Sequence, residues 1–149
     1  MNMSLVANKK VGFNYEILEK YEAGAELFGH EVKSLRLKRG SLDGAYVVVL
    51  SGEVFLKNAQ IPPYQTGNIS KDYNERRPRK LLLRKKEMQE LIGKSETRGL
   101  TLIPISWYNK GVKIKLEIAV ARGKKKHDKR STIKKREVER DIRRTLKNQ

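Results

Sequence analysis

The stretch GLTLIPISWYNKGVKIKLEIAV, residues 99–120, decides the fold. Its second half alternates: Val112, Ile114, Leu116, Ile118 and Val120 share one parity, and Lys113, Lys115, Glu117 and Ala119 share the other. That period of two is a strand with one apolar and one mostly polar face. Gly99–Tyr108 reads as a second strand. Pro104 places it at an edge or a bulge, because proline has no N–H to give to a ladder. Asn109-Lys110-Gly111 turns one strand into the other. The core is therefore expected to be built from antiparallel hairpins.

The same grammar runs upstream. Ala45–Leu50 is β-branched and aromatic, Ser51-Gly52 is a turn, and Glu53–Leu56 returns. Ile61-Pro62-Pro63-Tyr64 ends that unit. Val11, Phe13, Tyr15 and Ile17 predict a half-buried strand, and Leu18 breaks the parity as a bulge or bend would. Tyr21–Gly24 predicts a turn and Ala25–Phe28 a further strand, while His30–Leu37 fits a strand or a short helix equally. Met1–Leu5 is expected to fray. Gln65–Arg79 reads as a mobile basic loop. Leu81–Lys94 predicts a helix, with Leu81, Leu82, Met88, Leu91 and Ile92 at helical spacing and Gly93 as its stop. About six strands in sequential hairpins, with one inserted helix, make the chain mainly β. A small antiparallel barrel of the oligonucleotide-binding (OB-like) type fits best, and no Rossmann-like βαβ rhythm is visible.

Charge is the other dominant feature. The 149 residues carry 34 Lys and Arg against 17 Asp and Glu, a formal net charge of +17. Residues 122–149 hold 13 of the basic and 4 of the acidic side chains. Their only large apolar residues are Ile133, Val138, Ile142 and Leu146, too few to offset an ordering entropy of ~1–2 kcal/mol per residue. The chain thus divides into a body, 1–121, and a basic tail, 122–149. The tail is expected to be disordered alone and, from the N-cap candidate Ser131 to about Lys147, helix-capable against a polyanion.

Nucleic acid is the first partner such a balance implies. A membrane is not expected, because no apolar run approaches the ~20 residues of a span. The start lacks the apolar core of a secretory signal, and the absence of cysteine fits a reducing cytoplasm. Catalysis has little to stand on. There are two histidines, His30 and His127, no metal-ligand spacing and no phosphate-binding glycine loop, so no enzymatic activity, metal or cofactor is expected. Arg76, Arg77, Arg79, Lys80, Arg84, Lys85 and Lys86 form one candidate RNA-contacting cluster, with Lys80 and Arg84 on one helix face. Lys33, Arg36, Lys38 and Arg39 form a second. The alternative reading of either cluster is a solvated surface. Phe13, Tyr15, Tyr21, Tyr64 and Tyr73 are candidates for stacking on unpaired bases, whereas Tyr46, Phe55 and Trp107 read as core.

Taken in order, several blocks resemble the SmpB family, the tmRNA-binding (SsrA-binding) proteins of bacterial trans-translation. They are Asn8-Lys9-Lys10, Tyr21–Gly24, Gly29–Arg36 (GHEVKSLR), Arg79–Leu83 (RKLLL), Gly99-Leu100-Thr101, and Ala121–Lys125 with Asp128-Lys129-Arg130. The resemblance implies an OB-like barrel with flanking helices and no catalysis. It implies binding to the tRNA-like domain of tmRNA and delivery to stalled ribosomes lacking downstream mRNA. It further implies a tail that becomes helical on the ribosome, in the decoding centre and empty mRNA channel formed by 16S rRNA. Elongation factor Tu would be met through aminoacylated tmRNA, with the protein a monomer. The implied tmRNA contacts fall on Asn8, Glu22 and Leu82, to which the basic clusters add Lys33, Arg36, Arg79 and Lys80. The implied ribosome contacts fall on Gly123, Lys124, Lys125, Asp128, Lys129 and Arg130, then along the helix at Lys134, Lys135, Arg143 and Leu146. Phe13 stands where many relatives carry His. A structural ribosomal or rRNA-binding protein is the alternative reading.

Overall fold

A computed structural model describes residues 3–65, 67 and 71–124. In chain order the elements are β1 (Met3–Ala7), α1 (Val11–Asn14), β2 (Tyr15–Ala25), α2 (Gly29–Arg36), β3 (Tyr46–Leu50), β4 (Glu53–Lys57), β5 (Arg79–Leu82), α3 (Lys85–Ser95), β6 (Leu100–Lys110) and β7 (Lys113–Gly123). All pairings are antiparallel. The sheet order is β1-β6-β3-β4-β5-β2-β7, and β6 also pairs with β7. That last pairing closes β6, β3, β4, β5, β2 and β7 into a ring, a barrel without free edges among those six strands.

The two hairpins form where their alternation predicts. In β6–β7 the register runs from Leu100↔Arg122 to Lys110↔Lys113, with a shift between Pro104 and Ser106, so Pro104 does sit at a bulge. In β3–β4, Ser51 (φ 51°) and Gly52 (φ 76°) make the two-residue turn, both left-handed as a type I′ hairpin requires. Val54, Leu56, Leu81, Trp107, Leu116 and Ile118 point inward and are essentially sealed from solvent. Each such side chain contributes ~1.5–3 kcal/mol of burial. Helices α2 and α3 each add a fully buried leucine, Leu35 and Leu91, to the same core. A smaller cluster of Val11, Ile103, Ala119 and Ala121 lies on the opposite parity, where α1 covers part of the outer wall.

Several expectations are corrected. Met3–Ala7 does not fray: it pairs with Ser106–Asn109 and buries Leu5 and Val6, a partnership 100 residues distant that no local pattern announces. Val11–Asn14 is a helical turn and not a strand. Its carbonyls are met by Lys124, whose N–H bonds Asn14 O at 2.9 Å and whose Nζ bonds Gly12 O at 2.8 Å. Tyr21–Gly24 is no turn, because β2 runs through it in register with Glu117 and Leu116 of β7; the bulge expected near Leu18 is present between Ile17 and Glu19. His30–Leu37 resolves as helix α2.

The helix expected from Leu81 begins at Lys85. Arg79–Leu82 is instead a strand pinned on both sides, Leu81 facing Val54 and Ala25. The i, i+4 pairing of Lys80 with Arg84 on a helix therefore does not exist. Gly93 lies inside α3, whose end is closed by Ser95 and Thr97 hydroxyls on Ile92 O and Gly93 O. Val112, assigned to the apolar face, is 84% exposed at the hairpin tip, and Tyr46, assigned to the core, is 44% exposed. In the expected loop, Tyr73, Arg77 and Arg79 are anchored by a buried carboxylate, described below. The tail expectation, disordered alone and helical when bound, falls on residues that lie almost wholly outside those described.

Candidate nucleic-acid interface

Because strand residues alternate faces, the buried row Trp107, Leu116 and Ala23 leaves its neighbours on the outside. There Ser4 faces Tyr108, Tyr108 faces Lys115, Ser106 faces Glu117, and Glu117 faces Glu22. One strand further, Gly24 faces Leu82. A Cβ placed on Gly24 would stand 3.4 Å from Leu82 Cβ and 3.5 Å from Lys115 Nζ, so the absent side chain lets these two groups approach. A continuous surface thus crosses β1, β6, β7, β2 and β5. It carries a cleft of about 310 Å³ lined by Ser4, Lys20, Tyr21, Glu22, Ser106, Tyr108 and Glu117.

Glu22 is the organising group of that surface. Its Oε2 accepts the Tyr108 hydroxyl at 2.5 Å and its Oε1 accepts Lys110 Nζ at 2.7 Å. Lys110 and then Tyr108 hold the carboxyl below its usual range by hydrogen bonding, while Tyr108 is raised by its own burial and by the bond to Glu22. Glu22 therefore stays ionised. An ionised carboxylate offers about four lone-pair sites, and two are taken here. The others are available to base amino groups or 2′-hydroxyls, and Lys115 beside them offers a positive charge to phosphate. Tyr108, Lys110, Lys115 and Ser4 were not singled out from sequence. Lys115 stood with Lys113 and Glu117 on the polar face of its strand, but the pairing that brings Glu22 beside that face has no local signal.

The remaining predicted residues divide. Asn8 is locked against β6, its N–H on Ile105 O at 2.8 Å and its Nδ2 on Pro104 O at 3.1 Å. It lines a second cleft, about 260 Å³, with Lys10, Tyr15, Tyr46 and Thr101. Leu82 is 49% exposed beside Gly24, so it is no core residue. Lys80 points outward and pairs with Glu53 at 3.1 Å. Lys33 and Arg36 are exposed on α2. Lys33 stands 5.6 Å over the Tyr64 ring, and Arg36 donates to Val112 O at 2.7 Å, tying α2 to the β6–β7 tip. Gly123 ends β7, and Lys124 is tied to α1. Lys125, Asp128, Lys129, Arg130, Lys134, Lys135, Arg143 and Leu146 lie outside the described residues.

Arg79 is contradicted as an RNA contact. It has no exposure. Its Nε and Nη2 bind Glu31 Oε2 at 3.0 and 2.6 Å, and its remaining donors go to Ala59 O, Arg77 O and Glu75 O. Glu31, equally buried, also accepts Arg77, the Tyr73 hydroxyl at 2.8 Å and the Phe28 N–H at 2.7 Å. Burial pushes the Glu31 carboxyl upward, but Arg77, the Phe28 N–H and Arg79 outweigh it and hold it at about 2. This network fastens α2 to residues 73–79. Tyr73 is drawn into it, with its hydroxyl on Glu31 and Ile61 O and its ring packed edge-on against His30 at 4.6 Å. Among the described residues no group of three or more His, Asp or Glu is placed to hold a metal, and no helix is long and apolar enough to cross a membrane.

Comparison with known proteins follows the same lines. A family model described as "SmpB protein" matches residues 5–148. The SsrA-binding protein of Thermosipho melanesiensis is 51% identical over 148 residues, covering 97% of this chain and 99% of the relative. That of Gloeothece citriformis is 48% identical over 140 residues, covering 94% and 90%. A chain of a solved structure described as "tmRNA-SmpB: a journey to the center of the bacterial ribosome" superposes with a TM-score of 0.67. It is 44% identical and covers 80% of this chain and 84% of that one.

Proposed function

The chain belongs to the SmpB protein family, and from that premise we propose that it binds the tRNA-like domain of tmRNA and delivers it to ribosomes stalled without downstream mRNA. The observation that carries the reading is the Glu22 carboxylate, held ionised by Tyr108 and Lys110 on an uncovered face. Glu22, Leu82 and Lys80 present the RNA-binding surface, with Asn8 at its margin and Lys33 and Arg36 extending it along α2. Arg79 instead fastens α2 to residues 73–79 through Glu31 and does not touch RNA. No catalytic step is required: the protein positions one RNA against another.

In this reading the body is residues 1–121 and the tail residues 122–149. Past the end of β7 at Gly123 and the tie of Lys124 to α1, the tail enters the decoding centre and empty mRNA channel. Lys124, Lys125, Lys129, Arg130, Lys134, Lys135 and Arg143 meet 16S rRNA phosphates, with Gly123, Asp128 and Leu146 shaping the path. The protein acts as a cytoplasmic monomer and meets elongation factor Tu through aminoacylated tmRNA. Truncation after Lys124 keeps the anchor to α1 and tests the division of labour. The truncated protein is expected to bind tmRNA normally and to lose peptide tagging on stalled ribosomes. Tagging by the truncated protein contradicts the role of the tail.

A further inference from the structure

Past Leu82 the outer wall continues from β5 onto β4 and β3. Val47, Val54, Leu56 and Leu81 point into the core, so Tyr46, Val48, Leu50, Phe55, Lys57 and Lys80 point out. The register sets Tyr46 opposite Lys57, Val48 opposite Phe55, and Phe55 opposite Lys80. Each ring therefore has a lysine directly across the strand, at the ~4.5–5.5 Å Cβ spacing of cross-strand neighbours. Tyr46 is 44% and Leu50 48% exposed. Lys80 pairs with Glu53 in the open, their side chains 36% and 47% exposed, a contact weak enough to be exchanged for phosphate. Arg76, held on Asn58 next to Lys57, adds a third cation.

We propose that this face is a stacking platform for unpaired RNA bases, with Tyr46 and Phe55 as the stacking rings and Lys57 and Lys80 on the phosphates. Two observations choose the occupant. A protein-binding patch depletes charge from its centre, whereas here each ring is flanked by a lysine. The face is also continuous with Leu82 of the surface described above, so an RNA lying on one has a path onto the other. Paired RNA hides its bases in the helix and offers a platform nothing to stack. The inference rests on the proposed function only for which RNA supplies the bases.

The single tryptophan, Trp107, is sealed in the core at 1% exposure, so a tryptophan introduced at exposed position 46 reports alone on a solution quencher. The fluorescence of the Tyr46→Trp variant is titrated with a single-stranded oligoribonucleotide of about ten residues, within the ~4–16-nucleotide sites of such surfaces. Quenching by the single strand and not by the same sequence as a duplex is the expected result. Adding Phe55→Leu, which keeps an apolar side chain but removes the ring, is expected to weaken binding by about tenfold. Adding Lys57→Gln instead lowers the slope of log affinity against log salt by about one. Absence of quenching, equal quenching by duplex, or a fluorescence change that follows protein concentration without RNA overturns the platform. A Glu22→Ala, Tyr46→Trp double variant separates the two claims: loss of tmRNA binding with oligonucleotide quenching retained supports both. Quenching lost along with it overturns an independent platform and leaves the Glu22 surface standing.

Discussion

The Tyr108 hydroxyl donates to Glu22 at 2.5 Å although the two residues lie 86 positions apart. The contact exists because β7 lies between β6 and β2 and puts both side chains on one outer face. Lys110 completes the arrangement from the end of the same strand as Tyr108. The Glu22 carboxylate is thereby fixed in direction on the barrel wall.

Replacing Tyr108 with Phe removes that fixing bond while keeping the ring in place. The net value of one such bond predicts a roughly two- to tenfold loss of tmRNA affinity, with folding stability little changed. Lys110→Ala is expected to cost a similar factor, and the double variant less than the product, because both act through Glu22. Filter binding at fixed salt measures all three; additive losses would mean that the two residues contact RNA separately.

Removing Arg79 leaves Glu31 a buried charge with one fewer partner. Arg79→Leu is predicted to destabilise the fold by about 3–5 kcal/mol, while Glu31→Leu combined with Arg79→Leu costs less than the two single changes together. Urea unfolding followed by circular dichroism measures both. A native-like midpoint for Arg79→Leu would show that the network does not hold α2.

Acid should expose the same network. Glu31 is held at about 2 against an ordinary 4.5, so the folded state binds the proton more weakly than the unfolded state does. Its contribution is fully present above pH 4.5 and fades as pH falls from 4.5 towards 2, by on the order of 3 kcal/mol across that window. The urea midpoint should therefore drop between pH 5 and pH 3, less steeply in Glu31→Gln. Equal slopes for the two proteins would remove Glu31 from the acid response.

Adjacent leucines separate fold from surface. Leu81 is 1% exposed and Leu82 49%. Leu81→Ala is expected to cost about 2–5 kcal/mol and Leu82→Ala no more than about 0.5 kcal/mol. Leu82→Asp should in turn weaken tmRNA binding in a gel-shift assay without altering the melting curve. If Leu82→Asp unfolds the protein, its exposed placement is wrong.

What the sequence made legible follows physical range. The β3–β4 and β6–β7 hairpins were readable because alternation and turn chemistry are local. Met3–Ala7, Arg79 and Tyr108 were not, because their partners Ser106–Asn109, Glu31 and Glu22 lie far along the chain. Arg79 looked like its neighbours in a basic run, and only the register of β5 separates it from outward Lys80. Leu82 looked like core for the converse reason, since two adjacent leucines on a strand must face opposite ways. Glu22 and Leu82 entered as candidates through family resemblance alone, and the fold now gives them one surface.

The most direct measurement compares tmRNA affinity for Glu22→Ala with that for Lys94→Ala. Lys94 is a partly exposed α3 lysine whose ion pair is with Glu19, at 3.7 Å, and not with Glu22. Both variants are titrated by gel shift at one salt concentration, with melting curves recorded for each. The expected result is at least about tenfold weaker binding for Glu22→Ala, the scale of losing hydrogen bonds to a charged group, with Lys94→Ala close to the unaltered protein. Equal affinities for the two variants, with both folded, would contradict the assignment of this face to tmRNA.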